Sequence, residues 1–127
     1  MTKHADDPYE DVTILIVEDE ENTRALIRGM LRQIGISSMA EAADGRAGLA
    51  EMARTRPTVV LCDYHMEPVG GAQFLKMVRA AKVDWVRNTP VIFLTADAKP
   101  ETVQVARDLK ANGYLVKPVD IEALKDR

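Results

Sequence analysis

The sequence predicts a single α/β domain in which helices cover both faces of a parallel sheet. Several short apolar runs show no alternation with polar residues, which suits strands that are buried on both faces. Segments with helical spacing of apolar residues separate these runs, and such alternation favours right-handed crossover units in a doubly wound sheet. The chain has 127 residues, enough for one domain with its own core.

The individual elements follow from the apolar pattern. Strands are predicted at residues 12–17, 59–62, 91–94 and 114–116, with a weaker edge strand at Ser38–Ala42. Helices are predicted at Glu21–Ile34, 44–54, 71–81, 100–111 and 121–127. The first helix places Leu26, Ile27, Met30, Leu31 and Ile34 on one face. Asp44 is the expected N-cap of the second helix. Residues 1–11 are predicted to be a flexible tail, and residues 12–127 the domain.

Composition excludes several classes of protein. The net charge is −3, with acids and bases interspersed, so no basic face for nucleic acid is expected. No segment approaches the roughly 18 apolar residues of a membrane span, and the polar start lacks a signal-peptide core. The single cysteine, Cys62, cannot close an internal disulfide, which fits a reducing compartment. A cytoplasmic protein without a membrane partner is therefore expected.

Polar side chains stand where the predicted strands end. Glu18 and Asp19 follow the first strand, Asp63 the third, Thr95 the fourth and Lys117 the fifth. Ligands of doubly wound sheets bind beyond the carboxyl ends of the strands. These five side chains are therefore expected to converge on one pocket.

The chemistry of this set predicts a metal and a phosphoryl group. Neighbouring carboxylates repel one another, so three of them need more positive charge than Lys117 supplies. Oxygen ligands suit Mg²⁺, and no Cys/His cluster favours zinc. Asp63 is the candidate nucleophile because carboxylates form acyl phosphates. Thr95 and Lys117 would contact the phosphoryl oxygens during transfer.

The chain resembles the receiver domains of two-component response regulators over about residues 12–124. The motifs that carry the resemblance are ILIVEDE, EAADGRAGL, VVLCDYHM, PVIFLTA and GYLVKP. Stand-alone, chemotaxis-type (CheY-like) regulators are the most similar subgroup. The resemblance implies one five-stranded parallel sheet of flavodoxin-like order 2-1-3-4-5 with about five helices.

The resemblance also implies a role for each residue at the strand ends. Asp63 matches the phosphoacceptor and is the expected site of modification. Glu18 and Asp19 match the acidic pair that binds Mg²⁺, with Asp63 and the main-chain carbonyl of His65 as further ligands.

Three further positions match the catalytic and switching residues of the family. Thr95 matches the switch hydroxyl, and Lys117 matches the phosphate-binding lysine. Tyr114 matches the aromatic residue that turns inward when the hydroxyl moves toward phosphate.

The implied function is a phosphorylation-controlled switch. Such domains accept a phosphoryl group from a histidine kinase or a histidine phosphotransfer protein and slowly hydrolyse it. They are not enzymes toward other substrates, although they catalyse their own phosphorylation and dephosphorylation. An unknown output protein is expected to read residues 100–127, which comprise the fourth and fifth predicted helices and the last strand. A monomer is expected, with dimerisation on phosphorylation as the alternative.

Other functions stay open from the sequence. One alternative is that the chain is an isolated receiver domain cut from a longer DNA-binding or enzymatic regulator. A flavin-binding electron carrier and a metal-dependent phosphohydrolase with an aspartyl nucleophile are competing classes. Two departures from the family pattern are Glu67, where proline is common, and Lys110, where glycine is common. The lysine predicts an altered left-handed cap at the end of its helix.

Overall fold

The structure of the chain, a computed structural model, describes residues 12–64, 66, 69–95 and 99–116, without the side chains of residues 95, 100, 102 and 116. Strands and helices alternate along the described residues, with two helices in succession before the fourth strand. The elements are β1 (Thr13–Val17), α1 (Glu21–Ile34), β2 (Ser38–Ala42), α2 (Gly45–Thr55), β3 (Val59–Asp63), α3 (Gly71–Arg79), α4 (Asp84–Arg87), β4 (Val91–Thr95), α5 (Pro100–Asp108) and β5 (Gly113–Val116).

The five strands form one parallel sheet in the order β2-β1-β3-β4-β5. The predicted fold class and strand order are therefore confirmed. The order reverses between β1 and β3, which are neighbours although β2 lies between them in the chain. Crevices at such reversals are where ligands of this fold class bind.

Helices cover both faces of the sheet, as the non-alternating strands predict. Residues of one parity along the strands, such as Leu15 and Cys62, pack with α2 and α3 through Met52 and Phe74. Residues of the other parity, such as Ile16, pack with α1 through buried Ile27 and Leu31. Leu26 differs from the prediction because it is 59% exposed. The buried face of α1 is narrower than the apolar arc in its sequence.

Local signals explain where two helices begin and end. Oδ1 of Asp44 accepts a hydrogen bond from the backbone N–H of Ala47 at 2.9 Å, which confirms Asp44 as the N-cap of α2. Gly35 ends α1 with φ of 117°, a left-handed conformation that glycine adopts without steric cost.

The structure corrects the prediction at two further places. The short helix α4 was not predicted, and its Trp85 packs against the core and under the guanidinium of Arg56, 4.6 Å from the ring centroid. Lys110 follows the end of α5 and has φ of 66°, so the left-handed conformation is kept without glycine and the expected altered cap is wrong.

Two predictions cannot be compared with the structure. The predicted tail at residues 1–11 and the predicted helix at residues 121–127 lie outside the described residues. In the part of the chain that is described, no helix is both long and apolar enough to cross a membrane.

Candidate metal-binding site

Three acidic side chains meet at the carboxyl ends of β1 and β3. Glu18 and Asp19 follow β1, and Asp63 is the last residue of β3. One carboxylate oxygen from each of the three lies within 4.8 Å of the others. β1 and β3 are paired neighbours in the sheet, with Val17 opposite Cys62. The predicted convergence of these three acids is therefore observed.

The backbone around Glu18 is held from both sides. Its N–H donates to the carbonyl of Ala42 at 2.9 Å, and its carbonyl accepts from Nη1 of Arg24 at 2.8 Å. Oε2 of Glu18 accepts a further hydrogen bond from the N–H of Glu20 at 3.1 Å. Arg24 in turn donates to Glu41 at 3.2 Å. Strand pairing and the first turn of α1 thus fix this carboxylate at the end of β1.

The role of Arg24 was not predicted. Its guanidinium reaches back from α1 to a main-chain carbonyl of the preceding loop. Every residue has a main-chain carbonyl, so the residue types in the sequence do not show which carbonyl accepts from Arg24.

The electrostatics of the pocket call for a cation. Glu18 is 2% exposed and Asp63 is 7% exposed, whereas Asp19 faces solvent. Two ionised carboxylates 4.8 Å apart repel by about 3 kcal/mol at an effective dielectric constant of about 20. A divalent cation among the three oxygens would turn this repulsion into attraction.

The donor set fits Mg²⁺. All three groups are hard carboxylate oxygens, and the solvent-facing side at Asp19 leaves room for the water ligands that Mg²⁺ retains. Glu18, Asp19 and Asp63 are the residues that would hold the ion. The fourth predicted ligand, the carbonyl of His65, lies outside the described residues.

The start of α3 packs tightly against the backbone that carries Asp63. The N–H of Gly71 donates to the carbonyl of Tyr64 at 2.9 Å. A Cβ atom at Gly71 would lie only 2.5 Å from the carbonyl oxygen of Asp63. The helix therefore supports the segment that follows β3, and only a residue without a side chain fits there.

Cys62 is a core residue next to the pocket. Its side chain is fully buried, and Sγ donates to the carbonyl of Asp63 at 3.3 Å. Burial raises the pKa of this thiol well above its ordinary value, and the charges of Asp63 and Glu18 act in the same direction. The thiol therefore stays protonated and unreactive in the folded protein.

Three aromatic rings connect the pocket to the far strand. The rings of Tyr64 and Phe93 meet edge to face with centroids 5.3 Å apart. Phe93 contacts half-buried Tyr114 in the same way at 6.5 Å. The predicted switch aromatic is thus linked to the residue that follows Asp63 through one ring on β4.

The other predicted site residues are only partly described. Thr95 ends β4, where it pairs with Val116, and the preceding Leu94 pairs with Asp63. The backbone of Thr95 therefore lies at the carboxyl ends of the strands, as the acids do, but its side chain is not among those that the structure describes. Lys117 also lies outside the described residues, so its position stays a prediction.

Comparisons with known proteins agree with this architecture. Residues 14–127 match the response regulator receiver domain family. Chemotaxis protein CheY-3 of Vibrio cholerae serotype O1 is 32% identical over 117 residues, which cover 92% of this chain and 88% of the relative. The solved structure of Vibrio cholerae chemotaxis protein CheY4 has a TM-score of 0.83 and 32% identity, and the match covers 91% of this chain and 93% of that one.

A second solved structure contains a metal. The receiver domain of sensor histidine kinase PA1611 from Pseudomonas aeruginosa PAO1 has magnesium coordinated in its active site cleft. It has a TM-score of 0.80 and 29% identity, and the match covers 91% of this chain and 92% of that one.

Fold and site together define a doubly wound domain with an acidic pocket at its topological switch point. The chain belongs to the response regulator receiver domain family, and within it to the CheY-like type. It is a phosphorylation-controlled switch of two-component signalling. The flavin-carrier and phosphohydrolase alternatives are thereby set aside.

Proposed function

We propose that Asp63 accepts the phosphoryl group from a phosphohistidine of a histidine kinase or a histidine phosphotransfer protein. The observation that carries this proposal is the convergence of Asp63 with Glu18 and Asp19 within 4.8 Å at the ends of β1 and β3. A nearly buried carboxylate beside two others is poised for a reaction in which a bound cation offsets the negative charge.

The transfer is a displacement at phosphorus. A carboxylate oxygen of Asp63 attacks, the bond between phosphorus and the donor imidazole nitrogen breaks, and the imidazole leaves as the neutral ring after taking up a proton. The product is an acyl phosphate, which water later hydrolyses to the carboxylate and inorganic phosphate. On this proposal the chain catalyses only its own phosphorylation and dephosphorylation and is not an enzyme toward other substrates.

Residues around Asp63 would assist this step. Glu18, Asp19 and the carbonyl of His65 would hold Mg²⁺ together with Asp63, and the ion supplies positive charge to the phosphoryl oxygens. Magnesium in the related PA1611 receiver domain supports this assignment. The ammonium of Lys117 and the hydroxyl of Thr95 would donate hydrogen bonds to the remaining oxygens.

Phosphorylation would shift an existing equilibrium between two states of the output face. In the described part of the chain this face comprises α5, which is the fourth helix predicted from the sequence, together with β5. Residues 121–127, which the prediction adds to the face, lie outside the described residues. A cavity of about 180 Å³ lies between α5 and β5 and is lined by half-buried Val103 and Tyr114, among others. The cavity supports the proposed switch role of Tyr114, because it offers the ring space into which to move.

The setting is proposed on the same grounds. The relatives named chemotaxis proteins support a cytoplasmic switch that passes its signal to an output protein. We propose a monomer in the unphosphorylated state, with dimerisation on phosphorylation as the alternative.

Acetyl phosphate tests the assignment of Asp63. With Mg²⁺ present, the intact mass of the wild type is expected to rise by one phosphoryl group. Asp63→Asn should show no gain, and removal of Mg²⁺ with EDTA should abolish the gain of the wild type. Asp44→Asn is the matched control, because Asp44 lies outside the pocket and asparagine caps a helix equally well. A phosphoryl gain by Asp63→Asn equal to that of the wild type would refute the assignment.

A further inference from the structure

A second polar concavity lies near the amino ends of the strands, whereas the acidic pocket lies at their carboxyl ends. It is a groove of about 600 Å³ between the carboxyl ends of α3 and α5 and the segment around α4. We call it the basic groove and define it by Lys76, Arg79, Arg87, Asn88, Lys110 and Asn112. Asn112 directly precedes β5, whereas Asp63 ends β3, so the length of a strand, roughly 13 Å, separates the two sites.

The groove is positive on a protein that is negative as a whole. The chain carries a net charge of −3, yet Lys76, Arg79, Arg87 and Lys110 all line this one concavity. Arg87 is paired with Asp84 in its own helix. The single acid on the groove wall, Asp108, accepts a hydrogen bond from Gln104 at 2.8 Å.

Arg79 forms the floor of the groove without a carboxylate partner in the described part of the chain. Its nitrogens donate to the carbonyls of Arg87 at 2.9 Å, of Thr89 at 2.8 Å and of Lys110 at 3.0 Å. Nη2 also donates to Oδ1 of Asn112 at 2.7 Å. These neutral acceptors satisfy the N–H groups but leave the charge uncompensated. Partial burial lowers the pKa of Arg79, which reflects the same lack of compensation.

Lys110 brings a further charge at a cost in stability. Its φ of 66° lies in the left-handed region, where a residue with a side chain costs about 1 kcal/mol or more relative to glycine. The backbone is held there because the N–H of Lys110 donates to the carbonyl of Arg107 at 3.0 Å and the carbonyl of Lys110 accepts from the guanidinium of Arg79. What the lysine adds over glycine is an exposed ammonium on the groove.

We propose that the basic groove binds an acidic segment of a partner protein. Carboxylates of the segment would pair with Lys76 and Lys110 within the field of Arg79. Oδ1 of Asn112 accepts from both Arg79 and the N–H of Val91, at 2.7 and 2.9 Å, so its amide is oriented and its NH₂ group is left to donate to the segment. None of the residues that line the groove is aromatic, so the stacking platforms of single-stranded nucleic acid binders are missing from its walls.

A labelled hexaglutamate peptide serves as the probe, with binding to the full-length chain followed by fluorescence anisotropy at low ionic strength. Lys110→Gly is expected to weaken binding two- to five-fold, about the value of one exposed ion pair. The same variant should resist urea better than the wild type because the backbone strain is relieved. Opposite changes in binding and stability separate a lost contact from a damaged fold. Lys76→Gln should weaken binding to a similar extent.

Two controls isolate the groove. Arg32→Gln removes one charge from α1, which packs on the other face of the sheet, and it should leave binding within about 1.5-fold of the wild type. Asp63→Asn should bind hexaglutamate like the wild type, so the two proposals fail independently.

Three results would overturn the inference. One is an equal effect of Lys110→Gly and Arg32→Gln on binding. A second is tighter binding of a six-nucleotide oligothymidylate than of hexaglutamate, which would indicate a nucleic acid as the occupant. The third is binding of hexaglutamate only after the acids of residues 1–11 are replaced by amides, which would mean that the chain's own acidic segment occupies the groove.

Discussion

Gly71 offers the sharpest test of how the phosphoacceptor segment is supported. This glycine opens α3, and a Cβ atom placed on it would lie 2.5 Å from the carbonyl oxygen of Asp63. The same atom would lie 2.8 Å from Cα of Tyr64 and 3.0 Å from Cε1 of Phe93. The two closest neighbours are backbone atoms, which cannot move aside without shifting the segment after β3.

The expected effect of Gly71→Ala follows from two opposing terms. Alanine in place of glycine stabilises a helix by up to about 1 kcal/mol. Overpacking typically costs 1–3 kcal/mol, and contacts below 3 Å with backbone atoms belong at the upper end of that range. We therefore expect a net loss of about 2 kcal/mol in the free energy of unfolding.

Gly29 provides the matched control. It lies in the middle of α1, and no atom stands within 4 Å of the position of its Cβ. Gly29→Ala should therefore raise the free energy of unfolding by about 1 kcal/mol.

Urea unfolding followed by far-ultraviolet circular dichroism measures both variants of this pair. Gly71→Ala should also accept phosphoryl groups from acetyl phosphate more slowly, because its methyl group displaces the carbonyl of Asp63. If Gly71→Ala gains as much stability as Gly29→Ala, the close approach of α3 to β3 is wrong.

Three more predictions concern the pocket and the cap. Glu18→Gln should raise the dissociation constant for Mg²⁺, measured by calorimetry, tenfold or more. It should also raise the free energy of unfolding of the metal-free protein by up to about 3 kcal/mol, because it removes the repulsion between the carboxylates of Glu18 and its acidic neighbours. An unchanged Mg²⁺ affinity would exclude Glu18 as a ligand. Asp44→Ala should lower the free energy of unfolding by about 1 kcal/mol, whereas Asp44→Asn should leave it nearly unchanged. Equal losses of stability in the two variants would argue against the capping hydrogen bond between Asp44 and the N–H of Ala47. Cys62 should react with a thiol reagent only in denaturant, because the native side chain is fully buried, and fast labelling of the native protein would contradict that burial.

Elements with strong local patterns could be predicted closely. The bounds of α1 agree with the prediction residue for residue, because its apolar residues recur with a clear helical period. The bounds of β2 also agree, although its apolar pattern is the weakest of the five strands. The helix α4 was missed because four residues make barely one turn, too little for any periodicity to show. Leu26 was predicted to be buried because the apolar residues of a helix do not show how much of its surface the sheet beneath it covers.

The error at Lys110 has a tertiary cause. Sequence preference associates the left-handed conformation with glycine, so a lysine there predicted an altered cap. The hydrogen bonds from Arg79 to the carbonyl of Lys110 hold the backbone in that conformation despite the side chain. Arg79 lies far away in the chain, and nothing local signals such a contact.

The sequence by itself determined the alternation of strands and helices and the kinds of side chain that follow each strand. Hydrophobic periodicity and residue chemistry are local properties, so they can be read without knowing which strands are neighbours. Only the tertiary structure decided that Arg24 reaches back to the carbonyl of Glu18 and that Arg79 joins Lys110 and Asn112 in a groove at the amino ends of the strands. The reason is that contacts between distant residues depend on strand order and helix packing, which emerge when both faces of the whole sheet are buried together.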